Sequence, residues 1–253
     1  MYPWKSILIT GGSSGLGEAM ALELARPGMA LALTGRDAAR LAAVAEACRA
    51  KGAAVVAEPI DVADARALSG FMARVDASTP LDLVVANAGI SAGTGGGIET
   101  PAQTAQILAV NVQGVVDTVQ PALAAMGPRG KGQIAILSSL AGFRGFPGAP
   151  TYCASKAFVR VWGESLRGDW GPRGIKINVI CPGFVRSRIT AKNDFKMPLL
   201  MEAGKAAKIM LSGLARDVPR IAYPRRMYWL VRLLAALPQR LLDAVLAKTP
   251  RKR

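Results

Sequence analysis

Histidine is missing from all 253 residues, which closes every Ser-His-Asp type of nucleophilic mechanism to this chain. Cysteine is scarce. Cys48, Cys153 and Cys181 are odd in number and unpaired in spacing, which argues against a disulfide framework and, with no histidine, against a zinc site. Acidic residues are outnumbered, 17 against 32 Lys+Arg, for a net charge of +15. The imbalance is local: residues 186–253 hold 16 Lys+Arg and 4 Asp+Glu, whereas residues 1–185 hold 16 and 13. The basic character therefore belongs to the C-terminal quarter, and with no base-reading module beside it no nucleic-acid partner is expected. No serine-rich or charge-rich linker interrupts the chain, so a single domain is expected. Met1–Lys5 lack the basic start and apolar stretch of a secretory signal, and together with the scattered thiols they lead us to expect a cytoplasmic protein.

What the chain has in quantity is glycine, 27 residues of it, and the densest ordered use is Thr10-Gly-Gly-Ser-Ser-Gly-Leu-Gly17. This stretch follows the apolar run Ser6–Ile9 and precedes a helix-like segment. Gly11 allows a sharp turn out of a strand, Gly15 removes a side chain where backbone approaches a pyrophosphate, and Gly17 lets the next helix pack closely on the sheet. The helix from about Gly15 to Ala25 then directs free N–H groups and its positive end at the phosphates. The spacing is Gly-x-x-x-Gly-x-Gly, unlike the Gly-x-Gly-x-x-Gly of the general dinucleotide fingerprint.

Short apolar runs at Ser6–Ile9, Met29–Thr34, Ala54–Pro59, Leu81–Ala86, Gln133–Ser138 and Lys176–Cys181 predict strands buried on both faces. Helix-length segments separate them: Leu16–Ala25, Asp37–Lys51, Ala63–Ala77, Thr104–Ala125 and Thr151–Trp170. The alternation predicts an α/β fold, a Rossmann-like doubly wound parallel sheet in three α/β/α layers. Ligands of such sheets lie beyond the carboxyl ends of the strands, so chemistry is sought there.

Arg36, after the second strand, stands where NAD-binding folds carry an acid for the ribose 2′-hydroxyl. An arginine there instead suits the 2′-phosphate of NADP; otherwise it is a solvated residue opening a helix. Asp61, beside Val62, either meets the adenine edge or caps the helix expected from Ala63, and both roles are compatible. In Asn87-Ala88-Gly89, Gly89 admits backbone to a cofactor, and the Asn87 side chain is placed to tie neighbouring strands. Gly93–Gly97 reads as a flexible loop. Asn111 is unfavourable inside the apolar Thr104–Ala125 helix, which implies a packing hydrogen bond or a break that holds a water.

Two hydroxyls, Ser138 and Ser139, end the fifth strand, and Tyr152 and Lys156 share one helix face at i and i+4. An adjacent ammonium is expected to lower a phenol's pKa toward neutrality. Tyr152 would then exchange a proton with a carbonyl oxygen to which Ser139 also hydrogen-bonds. By itself such a Tyr-x-x-x-Lys pair is a common exposed helix pair.

Taken in order, Thr10–Gly17, Asp61, Asn87-Ala-Gly89, Asn111, Ser139, Tyr152-x-x-x-Lys156 and Pro182-Gly183 make residues 5–190 resemble the short-chain dehydrogenase/reductase family. The resemblance implies a catalytic tetrad of Asn111, Ser139, Tyr152 and Lys156, with Asn111 holding a water in a relay to Lys156. It implies cofactor contacts at Gly11, Ser13, Ser14, Gly15, Leu16, Gly17, Arg36, Asp61, Val62, Asn87, Ala88, Gly89, Tyr152, Lys156, Pro182, Gly183, Val185 and Ser187, with Ser13 and Arg36 at the NADP 2′-phosphate. It also implies an oxidoreductase of ketones, aldehydes or secondary alcohols, acting as a homodimer or homotetramer through the helices Thr104–Ala125 and Thr151–Trp170. Ala86 stands where many members have an additional asparagine. A cofactor-binding scaffold or redox sensor without turnover is the rival reading.

The catalytic domain is expected over 1–220, with a substrate-covering region at about 186–216 that includes a helix over Glu202–Arg216. Phe195, Met197, Leu199 and Leu200 suggest an apolar or amphipathic substrate. Residues 221–253 are expected to form a basic, apolar helical extension and tail. Eleven residues from Met227 to Leu237, with Arg232 inside them, are too few to span a bilayer, which takes about twenty. The stretch 223–246 either lies in a membrane interface, with Trp229 inserted and Arg225, Arg226, Arg232 and Arg240 at headgroups, or packs on protein. Lys248–Arg253 reads as a disordered basic end.

Overall fold

The computed structural model describes residues 2–92, 98–191, 193 and 196–246, the side chains of 243–246 excepted. The Gly93–Gly97 loop, Phe195 and the tail Lys248–Arg253 lie outside the described residues. The chain alternates strands and helices: β1 (Ser6–Thr10), α1 (Gly15–Leu24), β2 (Ala30–Thr34), α2 (Ala38–Arg49), β3 (Ala54–Glu58), α3 (Ala65–Ser78) and β4 (Leu83–Ala86). There follow α4 (Pro101–Leu108), a π-helical turn at Ala109–Gln113, α5 (Gly114–Met126), β5 (Gly132–Leu137), α6 (Pro150–Trp170) and β6 (Ile175–Pro182). The last elements are α7 (Arg188–Ala191), α8 (Ala203–Ala215), β7 (Arg220–Tyr223), α9 (Arg225–Ala236) and α10 (Gln239–Leu246).

All seven strands pair in parallel in the order β3-β2-β1-β4-β5-β6-β7. The order reverses between β1 and β4, and helices cover both faces, giving three α/β/α layers. Alternation along β1 divides the core. Ile7 and Ile9 face α1, α2 and α8 with Met20, Leu24, Leu41 and Met210, whereas Leu8 faces α3, α5 and α6 with Phe71, Val119 and Val159.

Four local expectations change. β3 is partly exposed, with Val56 at 58%, because it is the sheet edge and lacks a neighbour on one side. A seventh strand, only four residues long and opened by an arginine, was not singled out from sequence; β7 pairs with β6, so the expected boundary between 220 and 221 falls inside a strand. α3 starts at Ala65 with Asp64 as its cap, accepting from Ala67 N at 3.0 Å, and Asp61 instead accepts from Ala63 N at 3.1 Å in the preceding turn. The long helix expected over Thr104–Ala125 starts at Pro101, behind a capping box of Thr100 and Gln103, and is broken by the π turn around Asn111.

Candidate functional site

The carboxyl ends of β1, β2, β4, β5 and β6 open into one cleft of about 380 Å³. Its phosphate-cradle end follows from the glycines. Gly11 and Gly15 both have positive φ, at 66° and 60°, which favours residues without a Cβ. A Cβ on Gly17 would run into the Gly11 carbonyl oxygen and come within 2.6 Å of Asn87 Nδ2. Close packing of α1 on the loop therefore requires glycine at that position. Ser14, the N-cap of α1, makes no side-chain cap hydrogen bond, and Ser14, Gly15 and Leu16 line the cleft. A ten-residue helix thus presents its amino end to the cavity without a capping side chain, which suits a phosphate. Asn87 braces the turn: its Nδ2 donates to Thr10 O at 2.8 Å and Gly11 O at 3.1 Å, while the Thr10 hydroxyl accepts from Asn87 N and Ala88 N.

Arg36, just ahead of α2, and Arg40, in the first turn of α2, line the far end together with Asp37 and Asp61. Asp37 is already engaged, capping α2 through Arg40 N at 2.9 Å and pairing with the Arg40 guanidinium at 2.7 Å. Arg36 lies 3.8 Å from Asp61, both about half-exposed. Gly35 keeps the space beside Ser13, whose Oγ would lie 2.7 Å from a Cβ there.

At the other end, β5 and α6 assemble the polar cluster. Ser139 caps the 3-10 turn Leu140–Phe143, accepting from Ala141 N at 3.1 Å and donating to Pro182 O at 3.4 Å. The Ser138 hydroxyl donates to Lys156 O at 2.7 Å, which locks α6 against β5. Lys156 is 3% exposed, and its Nζ donates to Leu137 O at 2.9 Å. Burial lowers its pKa to about 8. The expectation that this ammonium pulls the Tyr152 phenol down is not met. Nζ sits 5.9 Å from the Tyr152 ring centroid, and burial drives the phenol's pKa upward, with the Ser139 hydroxyl acting in the opposite direction.

Asn111 is wholly buried, and its π turn aims the side chain sideways: Oδ1 accepts from Ile90 N at 2.8 Å, while Nδ2 donates to Ile90 O at 2.9 Å and Ser155 Oγ at 3.1 Å. Of the two roles expected for Asn111, the packing hydrogen bond is present, and the π turn interrupts the helix at the same residue. A Cβ on Gly89 would lie 3.3 Å from Lys156 Nζ and 3.4 Å from Asn111 Oδ1. Glu99 supplies a carboxylate to the start of α6, accepting from Thr151 N at 3.0 Å.

All the residues singled out from sequence line the cleft except two. Gly17 and Asn111 stand behind it, holding the loop and the β4 connection. Arg40, Ile60, Ile90 and Thr190 also line it and were not singled out. Arg40 was findable, in the first turn of the helix that Arg36 precedes; Thr190, which donates to Val185 O at 2.7 Å and accepts from Ser187 N, had no sequence signal. Nor did Met227. A Cβ on Gly183 would lie 2.8 Å from its sulfur, so α9 packs directly behind the Pro182-Gly183 loop.

Comparison with known proteins agrees with this geometry. The profile described as short chain dehydrogenase matches residues 5–197. An uncharacterized oxidoreductase of Myxococcus xanthus (strain DK1622) is 39% identical over 243 residues, 95% of this chain and 96% of that one. Among solved structures, a short-chain dehydrogenase from Sphingobium yanoikuyae in complex with NADPH has a TM-score of 0.80 at 27% identity, covering 92% of this chain and 96% of that one. A short chain dehydrogenase from Mycobacterium paratuberculosis bound to NAD shares the fold, with a TM-score of 0.77 at 23% identity over 86% of this chain and 95% of that one.

Proposed function

This chain belongs to the short-chain dehydrogenase family, and from that premise we propose that it is an NADP(H)-dependent oxidoreductase of apolar or amphipathic ketones, aldehydes or secondary alcohols. The observation that carries the reading is the convergence of Ser139, Tyr152 and Lys156 at one end of a cleft whose other end is a glycine cradle followed by Arg36. When bound, the nicotinamide supplies or takes up the hydride. The chain's own residues handle orientation and the proton. Tyr152, kept protonated by burial, donates its hydroxyl proton to a carbonyl oxygen during reduction and takes it back during oxidation. Ser139 hydrogen-bonds the same oxygen and sets its position between the two hydroxyls. Lys156, one helical turn from Tyr152 and with a pKa lowered to about 8, is read as the nearby group that exchanges protons near neutral pH. Asn111 is read as the member of the tetrad that fixes the β4 connection against α6.

The choice of NADP rests on charge at the ribose end. Arg36 and Arg40 face the cleft, and Asp37, the acid nearest the end of β2, is occupied by the α2 cap and Arg40. A guanidinium suits a phosphate, and an engaged carboxylate is a poor partner for a ribose hydroxyl. Residues 186–216 are read as the substrate cover, with Met201 bridged to Val185 at the cleft wall. Self-association is assigned to the outward side of α4 and α6, where Leu108, Phe158 and Val161 are exposed. A reducing compartment suits Cys48, Cys153 and Cys181, all buried and unpaired.

The test is a panel of ketones, aldehydes and alcohols followed by NADPH absorbance, with NADH alongside, on the wild type and Tyr152→Phe. Reduction that drops roughly 10²–10⁴-fold in the variant while NADPH still binds is the expected outcome. Binding of NADPH without turnover of any carbonyl, or a variant as active as the wild type, would leave the scaffold reading instead.

A further inference from the structure

We infer that the outward face of α9 docks on an anionic bilayer surface. The inner face of this helix is committed to protein: Val231 is buried, and Met227 and Tyr228 pack with it against Leu140, Val179 and Cys181. The outer face is apolar as well. Trp229, Leu230 and Leu233 are 65%, 57% and 64% exposed. Spaced at 3.6 residues per turn, Trp229 and Leu233 occupy the middle of the outward arc, with Leu230 and the exposed Arg226 on one flank and Arg225 and Arg232 on the other.

Charge decides which occupant fits. The stretch from Arg225 to Leu246 carries four arginines and one acid, Asp243, so a surface meeting it must supply negative charge around an apolar interior. An anionic lipid interface offers both, with arginine stems lying along the apolar layer and their heads at phosphates. A second copy of the same face would instead oppose arginines with arginines. Insertion is shallow, because twelve residues make a helix of about 18 Å, too short to cross a bilayer. Among the described residues, the one helix long and apolar enough to cross, Pro101–Arg129, is half-buried within the protein itself.

The docking face is held firmly to the site. Tyr228 meets Phe143 edge-on at 5.6 Å, and Phe143 lies against the Arg160 and Arg220 guanidinium groups at 4.7 and 5.5 Å. Arg220 donates to Tyr228 OH at 3.3 Å, and Arg160 donates to Gly142 O at 3.2 Å. The turn Leu140–Phe143 that Ser139 caps is thus packed directly against the inner side of α9. That an apolar substrate is drawn from the bilayer rests on the function proposed above; the docking itself does not.

The experiment floats the full-length chain with vesicles of phosphatidylcholine alone or mixed with phosphatidylglycerol, at low and high salt. It compares wild type, Trp229→Ser with Leu233→Ser, and Arg225→Glu with Arg232→Glu, each also run by sedimentation velocity. The wild type should float with the anionic vesicles and release on adding salt, and each double variant should partition at least about tenfold less. These are solvent-facing positions, and the charge-reversal pair tests the same surface without removing apolar area. Flotation equal to wild type in both variants, or no flotation of the wild type, overturns the proposal. A fall in oligomeric mass in the Trp229→Ser, Leu233→Ser variant also overturns it, by making the face a contact between copies. Cofactor affinity measured without vesicles reports on the proposed function separately.

Discussion

Replacing Arg36 with alanine should separate NADPH from NADH. The change in the cleft is confined to charge: the side chain is about half-exposed, and among the described residues it pairs with Asp61 alone, at a loose 3.8 Å. A charge-assisted hydrogen bond is worth about 1.5–3 kcal/mol. Exposure and salt screening place Arg36 at the lower end, near 1.5–2 kcal/mol, so the NADPH Kd should rise by about 10–30-fold. Arg40 keeps part of the phosphate attraction, although its pairing with Asp37 at 2.7 Å limits that share. The uncompensated Asp61 carboxylate then repels the phosphate, and Arg36→Ala combined with Asp61→Asn should recover a few-fold of the loss. NADH carries no 2′-phosphate, so its Kd should move by less than about threefold under the same comparison. The measurement is an equilibrium titration of cofactor fluorescence for both cofactors at low and high salt, and the wild-type advantage for NADPH should shrink as salt rises. Equal losses for the two cofactors, or a wild type that prefers NADH, would refute the electrostatic reasoning.

The remaining expectations concern the cradle and the buried polar groups. Gly17→Ala should cost about 1–3 kcal/mol from overpacking against Gly11 and Asn87 and weaken cofactor binding, whereas Gly12→Ala, whose Cβ meets only ordinary contacts at 3.4–3.5 Å, should melt near the wild type. Asn111→Ala leaves the Ile90 N–H and carbonyl and the Ser155 hydroxyl without this partner, and denaturant unfolding should show a loss of about 2–4 kcal/mol. Lys156 is held down from 10.5 to about 8, so between those values the unfolded chain binds the extra proton. Its contribution to stability therefore rises with pH across that window, and the penalty is fully present below about 8. Lys156→Met should remove that penalty, with a stability advantage over wild type of up to about 3 kcal/mol near pH 7 that fades toward pH 10. The difference between the two curves is the readout, because Cys181, pushed up from 9.0 to about 12 by burial, acts on both proteins in the opposite direction over the overlapping range above pH 9.

The alternating sheet was legible because its strands are apolar on both faces, a pattern that only a covered parallel sheet satisfies. β7 was not, since Arg220–Tyr223 is four residues long and its arginine, paired with Glu164 at 2.6 Å, breaks the apolar run. The glycine cradle and the shared helix face of Tyr152 and Lys156 were legible because strand-to-helix turns and i,i+4 neighbours are short-range geometry, whereas joining Ser139 to that pair as one site came from the family resemblance. Contacts between distant segments could not. Met227 behind Gly183 and Tyr228 on Phe143 join residues more than forty positions apart, and neither end carries a local signature.

The proton-handling pair shows where residue identity stops and environment begins. From sequence, an ammonium four residues from a phenol implies a stabilised phenolate, as it would in water or on an exposed helix. In the folded chain Lys156 is buried and Tyr152 partly so at the cleft wall, and loss of water favours the neutral form of each. The Tyr152 pKa therefore rises and that of Lys156 falls. Lys156 also directs its Nζ at the Leu137 carbonyl at 2.9 Å rather than at the phenol oxygen. Any charge that enters the cleft changes this balance in a definite direction: a phosphate or carboxylate nearby favours the lysine ammonium and disfavours the phenolate, whereas a cation does the reverse. The Tyr152 phenol is thus poised as a proton donor by burial, and the group that would make it a base must come from what fills the cleft.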